Sequence, residues 1–486
     1  MSATALAPPT NGHVDEHRDV LAKIADSEHR RPLTEAHRTD AGNADRLVHL
    51  YGDRLRFNHD PPRCWHVWDG VSWAPDRRGE AARLAKETAT ETLLVAGRMP
   101  EGEDRTKLIG WALQSENSTK IEAALRVAQS HEDVAALTED FDCDPWALNV
   151  RNGIVDLWTG DLHPHDPAAM HSKVAGAALV AGAACPLWEA FLERVLPDAD
   201  VRQYFHKLAG YSLAGVIGEN VLPFAYGDGA NGKSVAFAVL RSVFGDYATE
   251  APPDLLMARR DDGEHPTVIA GLRGFRLVTT QEVEAGKRMA SVLMKRLTGE
   301  PTLKARKLYQ DYQEFENVTT LWLAANDKPE VNGLDEAVWR RIRLLPFTVT
   351  IPEGERDPAL TAKLKAEANG ILGWLVEGMM AYHREGLTAP EAVKVATAEY
   401  RDESNPLREW VEAECDLDPS AVTPAGELRK AYERWAQTWH RRKVPAGKKW
   451  AAGLVALGCA DGKGTGGVRQ WEGIRLRTAV APGHPF

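Results

Sequence analysis

Residues 227–234 read GDGANGKS, and this octapeptide constrains the fold more than any other part of the sequence. It fits the pattern G-x-x-x-x-G-K-[ST], in which glycines allow several backbone N–H groups to turn towards one anion. An apolar run at 221–226 precedes it and a helical pattern at 235–244 follows it. Because the start of a helix also attracts negative charge, the strand–loop–helix order favours phosphate binding. The sequence therefore predicts an α/β domain with a site for a nucleotide.

Every position of this loop is a candidate nucleotide contact. We expect Lys233 to reach the β- and γ-phosphates and the hydroxyl of Ser234 to ligate Mg²⁺, so the expected cofactors are ATP and Mg²⁺. The loop residues are Gly227, Asp228, Gly229, Ala230, Asn231, Gly232, Lys233 and Ser234.

Short apolar runs alternate with helical stretches between residues 220 and 350. The runs at 221–226, 275–280, 319–325 and 342–347 predict strands of a parallel sheet that is covered on both faces. Hydrophobic residues make up 43% of the 486-residue chain, enough for a large core. No apolar run approaches the ~18 residues of a membrane span, so we expect no membrane partner.

Two acidic residues end the second of these runs, in the segment TTQEVEAG at 279–286. Because residues i and i+2 of a strand point to the same face, Glu282 and Glu284 can both face the phosphates. One carboxylate would hold Mg²⁺ through water and the other would activate the attacking water. We assign the metal to Glu282 and the water to Glu284, and the reverse assignment stays open.

The other two runs bring a polar amide and two arginines. Asn326 ends the run 319–325 and can hydrogen-bond the γ-phosphate or the water, although Asn-Asp pairs also form turns. Arg340 and Arg341 precede the run 342–347, where an arginine can project into a neighbouring subunit and stabilise transition-state charge.

Local charge differs from the total. The formal net charge is −11, but residues 285–310 contain seven basic residues and one acidic residue, and 421–486 contain twelve and four. Because charges beyond about 8 Å are screened at physiological salt, these two basic regions can still bind a phosphate backbone.

The motifs and their spacing resemble the helicase domain of superfamily 3, in the branch of phage and plasmid primase-helicases that is related to the poxvirus helicase-primase. The resemblance spans about 37–480 and rests on GDGANGKS, TTQEVEAGKRM, KRLTGE, LKARKLY, LWLAANDKP and DEAVWRRIRLLPF. It implies an AAA+-like P-loop ATPase that assembles as a ring, usually a hexamer, and moves along single-stranded DNA with 3′-to-5′ polarity.

The resemblance also implies roles for single residues. Lys233 and Ser234 would be the Walker A pair, Glu282 and Glu284 the Walker B acids, Asn326 the sensor, and Arg341 the arginine finger across the subunit interface, with Arg340 as the alternative. Residues 302–315 resemble the family's channel hairpin, whose DNA contacts would be Lys304, Arg306 and Lys307.

The C-terminal region predicts a helix, helix, helix and hairpin order, which resembles the winged helix of the same family. Its expected contacts with DNA phosphates, in a duplex origin, are Arg441, Arg442, Lys443, Lys448 and Lys449. The stripe Leu428, Tyr432, Trp435 and Trp439 favours a core rather than a base-stacking surface.

Composition and pattern together predict six regions. They are a disordered leader (1–38), a small tryptophan-rich hairpin and helical region (39–105), a helical/β linker domain of primase-helicase type (106–190), the ATPase domain (191–350), a helical bridge (351–404) and the winged-helix module (405–486). The 64 residues before Trp65 are too few for a primase domain, so we expect none here and leave a separate primase partner open.

Two other functions remain open from the residues. One is a P-loop ATPase of another kind, such as a packaging motor or a small-molecule kinase, and the other is an origin-binding initiator that uses ATP as a switch. None of the five cysteines forms a CxxC pair, so the sequence supports neither a zinc site nor a disulfide framework. We therefore expect no metal besides Mg²⁺ and a cytoplasmic protein. We also expect it to be associated with the nucleoid of a bacterial host cell.

Overall fold

The computed structural model describes residues 32–258, 266–281, 287–307, 311–331, 335–404, 406–437, 447–464 and 467–477. Within these ranges the chain divides into two compact units. The first runs to Asp156 and includes Asp161–Leu179, and the second consists of Leu157–Gly160 and the chain from Val180 onwards. Residues 1–31 of the expected leader lie outside the described ranges.

Helices and two small sheets build the first unit. One sheet has the strand order β3-β2-β1-β4, the other β5-β6-β7. The elements are α1 (Asp40–Tyr51), β1 (Leu55–Asn58), β2 (Cys64–Trp68), β3 (Trp73–Pro75), α2 (Glu80–Arg98), α3 (Glu103–Ser115), α4 (Ser118–Ala128), β4 (Ala135–Ala136), β5 (Ala147–Val150), β6 (Gly153–Asp156) and β7 (Leu162–His163).

The Asp-Gly pair of the tryptophan-rich segment forms the hairpin turn that its sequence predicts. Strands β2 and β3 pair antiparallel on either side of it, with Trp68 opposite Trp73. Gly70 has a φ of +93°, which only glycine adopts without strain. The Asp69 carboxylate accepts hydrogen bonds from the backbone N–H of Ser72 at 2.7 Å and of Val71 at 2.9 Å.

The second unit contains a five-stranded parallel sheet of order β14-β8-β13-β10-β9. Its elements, up to the C-terminal region, are α5 (Pro186–Val195), α6 (Ala199–Tyr211), β8 (Leu222–Tyr226), α7 (Lys233–Phe244), β9 (Ala248–Glu250), α8 (Pro266–Ala270), β10 (Leu277–Gln281), α9 (Ser291–Leu297), β11 (Thr302–Ala305), β12 (Gln313–Glu316), β13 (Thr320–Ala325), α10 (Glu336–Trp339), β14 (Ile342–Pro346), α11 (Leu360–Ala366), α12 (Ala368–Glu385) and α13 (Glu391–Glu403). All four apolar runs of the sequence are strands of this sheet, and β9 is the strand that its short polar sequence did not reveal.

Helices cover both faces of this sheet. On one face Trp322 of β13 packs edge-on against Phe205 of α6 and Phe237 of α7, at 5.4 and 5.8 Å between ring centroids. On the other face Phe224 of β8 packs against Tyr400 of α13 at 5.9 Å. The prediction of a parallel sheet buried on both sides is therefore confirmed.

The C-terminal region has a hydrophobic core of its own, which includes Trp410, Tyr432, Trp450 and Ile474. Its elements are α14 (Pro406–Glu414), β15 (Cys415–Pro424), α15 (Ala425–Trp435), α16 (Gly447–Ala456), β16 (Ala460–Lys463) and β17 (Arg469–Leu476), and the strands form an antiparallel sheet of order β15-β17-β16.

Strand β15 was not expected from the sequence, because CDLDPSAVTP contains no continuous apolar run. Pairing with β17 on one side supplies its hydrogen bonds, across a register shift between Leu417 and Val422. The residues of the predicted stripe that the structure describes, Leu428, Tyr432 and Trp435, are buried as expected of a core, and Trp439 lies outside the described residues. None of the described helices combines the length and the apolarity that crossing a membrane would need.

Candidate nucleotide-binding site

The loop 227–232 leaves the carboxyl end of β8 and leads into α7, whose first residue is Lys233. Two of its glycines allow close approach to neighbouring elements. A Cβ on Gly227 would lie 2.0 Å from the carbonyl oxygen of Phe347, and one on Gly232 would lie 2.7 Å from Cγ1 of Val195. Gly232 has a φ of +86° and Ala230 a φ of +61°, a conformation that costs a residue with a Cβ about 1–2 kcal/mol. The turn is therefore tight and lies against α5 and the end of β14.

Asn231 fastens this loop to the residue that follows β14. Its side chain is 3% exposed. The amide nitrogen Nδ2 donates to the carbonyl oxygen of Phe347 at 3.0 Å, and the amide oxygen Oδ1 accepts from Nζ of Lys233 at 2.9 Å. One buried side chain thus satisfies both its donor and its acceptor while it holds the lysine in place.

Lys233 is the best-connected polar group of the site. Its Nζ donates to the carbonyl oxygen of Gly227 at 2.6 Å and to Oδ1 of Asn326 at 3.0 Å, besides the bond to Asn231. Burial lowers the pKa of Lys233 to about 8, and the nearby carboxylate of Asp228 acts in the opposite direction. An ammonium with few charges around it, held at a helix N-terminus, is a suitable partner for a phosphate group.

The sheet order explains why Asn326 meets Lys233. Strand β13 lies between β8 and β10, and Ala325 at its end pairs in register with Tyr226 at the end of β8. In a parallel sheet the carboxyl ends of neighbouring strands lie at one edge, so the residue after β13 lies beside the loop after β8. The structure therefore brings together the loop and the expected sensor.

Strand β10 ends at the same edge, with Gln281 in register with Ala324. Glu282 and Glu284 follow it directly, but residues 282–286 lie outside the described ranges, so their roles stay predictions. Ser234 is exposed in the first turn of α7, where a hydroxyl can reach a metal ion bound to phosphates. In the parts of the chain that the structure describes, no group of three or more His, Cys, Asp and Glu side chains could hold a metal on its own.

The two arginines lie at the opposite ends of the strands, where β8 and β14 begin. The backbone N–H of Leu222, at the start of β8, donates to the carbonyl oxygen of Arg341 at 2.7 Å. Six residues of extended chain separate the position of Arg341, beside the start of β8, from Gly227. This corresponds to about 20 Å along the strand direction. Neither arginine lies next to the loop 227–232 of its own chain.

Burial distinguishes these arginines from each other. Arg341 is 9% exposed and its Nη1 donates to the carbonyl oxygen of Ala337 at 2.7 Å, whereas Arg340 is exposed. Burial lowers the pKa of Arg341. A residue that acts across a subunit interface has to reach the surface, so burial favours Arg340 over our first choice, Arg341.

The expected channel hairpin is a two-stranded antiparallel element, β11 and β12. Lys304 is exposed and lies opposite Glu314 in the register. Arg306 and Lys307 are exposed beyond the strand end, and the guanidinium of Arg306 lies 4.9 Å from the ring centroid of Tyr312. The tip 308–310 lies outside the described residues.

The expected DNA contacts of the C-terminal module are less well covered. Arg441, Arg442 and Lys443 lie outside the described residues, and the structure gives only the backbone of Lys448 and Lys449, in the first turn of α16.

Sequence reasoning missed Lys328, which lies two residues beyond Asn326 and contacts the last residue of β8. Its Nζ is 4.7 Å from the ring centroid of Tyr226. Its place in the segment LWLAANDKP, directly after a strand that ends at the site, is a signal that could have identified it.

Comparison with known proteins gives one family match. Residues 44–197 match the family model described as D5 N terminal like. The Acanthamoeba polyphaga mimivirus protein named "Putative helicase L207/L206" is 26% identical over 239 residues, which cover 46% of this chain and 25% of that protein. "Primase D5" of fowlpox virus is 29% identical over 151 residues, which cover 30% of this chain and 19% of that protein. The chain therefore spans about a quarter or less of these relatives' length.

The solved structure of the apo NrS-1 C terminal region (305-718) is 10% identical, with a TM-score of 0.45, over 88% of this chain and 98% of that one. A score this low leaves the fold to be argued from the strands and helices of this chain. The mimivirus and fowlpox virus relatives come from viruses of eukaryotes. They give no support to the bacterial host cell that we expected.

Substituting Gly232→Ala should destabilise the loop, because the added Cβ meets Val195 and the φ of +86° is unfavourable for alanine. We expect the free energy of unfolding, measured by urea denaturation, to fall by about 1–3 kcal/mol. Gly229→Ala is the matched control, since a Cβ there meets nothing within 4 Å. Equal stability of the two variants would contradict the described loop geometry.

Nucleotide affinity should fall as pH rises through about 8, because the buried Lys233 loses its proton there while phosphate binding requires the ammonium. We expect the dissociation constant of ATP to increase by up to tenfold for each pH unit between about 8 and 9.5. Titration calorimetry measures it, with Lys233→Arg as the control, because a guanidinium stays charged across this range. The same slope in both proteins would assign the pH dependence to another group.

Proposed function

We propose that the chain is an ATP-hydrolysing replicative DNA helicase, because residues 44–197 match the D5 N terminal like model and the viral relatives above are named helicase or primase. In this proposal it assembles as a homo-hexameric ring and translocates on single-stranded DNA. The observation that carries the proposal is the 3.0 Å contact between Nζ of Lys233 and Oδ1 of Asn326. It joins two motifs that are 93 residues apart in the sequence at one edge of a parallel sheet.

The strand order supports an AAA+-like P-loop fold for the ATPase domain. The strand with the glycine-rich loop is next to the strand with the polar sensor, which in turn is next to the strand that leads to the two glutamates. In this proposal three groups act on one γ-phosphate: the ammonium of Lys233, the amide of Asn326 and the carboxylates of Glu282 and Glu284, which lie outside the described residues. Phosphoryl transfer needs mainly positioning and charge stabilisation of this kind.

Each group of the proposed site has a task in hydrolysis. The loop backbone and Lys233 bind the phosphates, and Asn326 exchanges its bond to Lys233 for one to the γ-phosphate or the attacking water. Of Glu282 and Glu284, one orients and deprotonates that water. Mg²⁺, held by Ser234 and by Glu282 through water, would neutralise charge on the phosphate oxygens.

The arginine that completes the site comes from the next subunit. At about 20 Å from the loop of its own chain, Arg340 cannot reach the phosphates it serves, but it is exposed at the far edge of the sheet. A heterologous contact that places the far edge of one sheet against the loop edge of the next closes into a ring when the rotation is right.

DNA contacts belong to two basic surfaces in this proposal. In the ring channel we favour Arg306 and Lys307 over Lys304, because Lys304 has the acidic residue Glu314 opposite it in the register. The C-terminal module, whose described residues form three helices and an antiparallel three-stranded sheet, would be a winged helix that binds duplex DNA at an origin. A separate primase remains a possible partner, and the replication complex would form in the cytoplasm.

Strand displacement on a forked DNA tests the proposal. We expect ATP-dependent unwinding by the wild type and a loss of at least about 100-fold in Lys233→Ala, because the phosphates lose the buried ammonium of Lys233. Lys86→Ala, on the surface of the first unit, is the matched control. Specific duplex binding without unwinding or DNA-stimulated ATP hydrolysis would favour the origin-binding initiator instead.

Mixed subunits test the arginine in trans. Lys233→Ala and Arg340→Ala should each be inactive, and a 1:1 mixture should recover about a quarter of the wild-type ATPase rate, since a quarter of random interfaces pair an intact loop with an intact arginine. A parallel mixture with Arg341→Ala compares the two arginines. No recovery in either mixture would point to sites contained within one subunit, as in a small-molecule kinase.

A further inference from the structure

The segment 326–331, which follows β13, contacts three parts of the second unit. At its start Asn326 accepts from Lys233. At its end the backbone N–H of Glu330 donates to the carbonyl oxygen of Lys287 at 2.8 Å, and that of Met289 donates to the carbonyl oxygen of Glu330 at 2.9 Å. Residues 287–289 follow the glutamate segment directly. The middle of segment 326–331 contacts α13.

Lys328 makes the first contact with α13. Its Nζ lies 2.7 Å from Oε2 of Glu403 and 5.6 Å from the ring centroid of Tyr400, besides the ring of Tyr226. The side chain is only 18% exposed. An ammonium enclosed by two aromatic rings and a carboxylate has much less freedom than an ordinary surface lysine. The side chain of Lys328 therefore connects segment 326–331 to the last turn of α13.

Tyr400 of α13 makes the second contact, with Pro329, the residue that follows Lys328. Its hydroxyl donates to the carbonyl oxygen of Pro329, and its side chain is 1% exposed. The ring packs against Phe224 of β8 and Trp339 of α10, at 5.9 and 4.9 Å between centroids. Two adjacent residues of segment 326–331 are thus held by two residues of one helical turn.

The last turn of α13 also contacts the C-terminal module. Asp402 lies 2.9 Å from Nη1 of Arg408 in α14, the first helix of that module. Residues 404 and 405 alone separate the two helices. The backbone from Asn326 to Lys328, the contacts of Lys328 and Pro329 with α13, and the ion pair of Asp402 with Arg408 therefore connect Asn326 to α14.

We propose that Lys328 is a positioning residue for Asn326, and that its contact with Glu403 couples the state of the nucleotide site to the C-terminal module. The proposal rests on the proposed function, since Asn326 must respond to the γ-phosphate. When Asn326 leaves Lys233 for the phosphate, segment 326–331 shifts and α13 and α14 shift with it. Because Glu403 is 59% exposed, its ion pair with Lys328 adds little to the stability of the fold. In this proposal its role is to transmit the movement of Lys328 to α13.

The test uses the full chain and four variants. Lys328→Met removes the cation and keeps the packing, Glu403→Gln removes only the carboxylate charge, and Lys328→Arg keeps the cation. Glu399→Gln, an exposed glutamate of the same helix, is the matched control. We expect Lys328→Met to lower kcat for ATP about tenfold while KM stays within about threefold, because the loop and Lys233 make most of the contacts that bind the phosphates. Lys328→Arg should restore most of kcat, and Glu399→Gln should leave it unchanged.

Hydrogen exchange provides the second readout. In the wild type, a non-hydrolysable ATP analogue with Mg²⁺ should change amide exchange in peptides that cover 391–414, and Lys328→Met and Glu403→Gln should abolish this change while they still bind the analogue. Binding without any change at 391–414 in the wild type, or an equal change in both variants, would overturn the coupling alone. Failure of the wild type to bind the analogue would overturn the proposed function as well.

Discussion

The contact between Lys233 and Asn326 depends on the register of the parallel sheet. A lysine at the first position of α7 can meet an amide 93 residues later only because β8 and β13 are neighbours whose last residues, Tyr226 and Ala325, pair. A slip of one residue would turn every side chain of β13 to the other face and move Asn326 along the edge. The alternation of Trp322 and Leu323 between the two covered faces prevents such a slip, since both side chains are fully buried.

Burial of Lys233 has two consequences for the site. Three oxygen acceptors within 3.0 Å satisfy its donors, so the ammonium is positioned before any ligand arrives. The same burial lowers its pKa to about 8, which means that the charged form carries a free-energy cost in the folded protein. A bound polyanion relieves this cost, and this is a physical reason for a phosphate to be favoured there.

The two edges of the sheet have different chemistry. The carboxyl edge has the glycine-rich loop, the amide and the strand that leads to the acids, whereas the amino edge has Arg340 and Arg341. Since these edges are about 20 Å apart, a complete set of groups requires either a second copy of the chain or a function without the arginine. Coupling through α13 would give such an assembly a path from each nucleotide site to the module beyond it.

Much of the fold could be predicted from the sequence. The four apolar runs and the Asp-Gly hairpin are local signals, since each depends on a few neighbouring residues and their backbone preferences, and both were confirmed. The loop motif lies between a strand and a helix as expected, while its binding of a nucleotide stays a prediction. Strands β9 and β15 were missed because short or polar strands owe their conformation to pairing partners that are distant in the chain. The acids at 282–286 and the basic residues at 441–443 lie outside the described residues and stay predictions.

The sequence by itself thus determined which chemical groups are present and that a nucleotide phosphate suits the loop. Only the tertiary structure decided which groups meet. In the tertiary structure Asn326 accepts a hydrogen bond from Lys233. Arg341 is buried while Arg340 is exposed. The side chain of Lys328 is enclosed by Tyr226, Tyr400 and Glu403. Exposure and distance between remote residues follow from packing of the whole sheet and its helices, and no local pattern of residues encodes them.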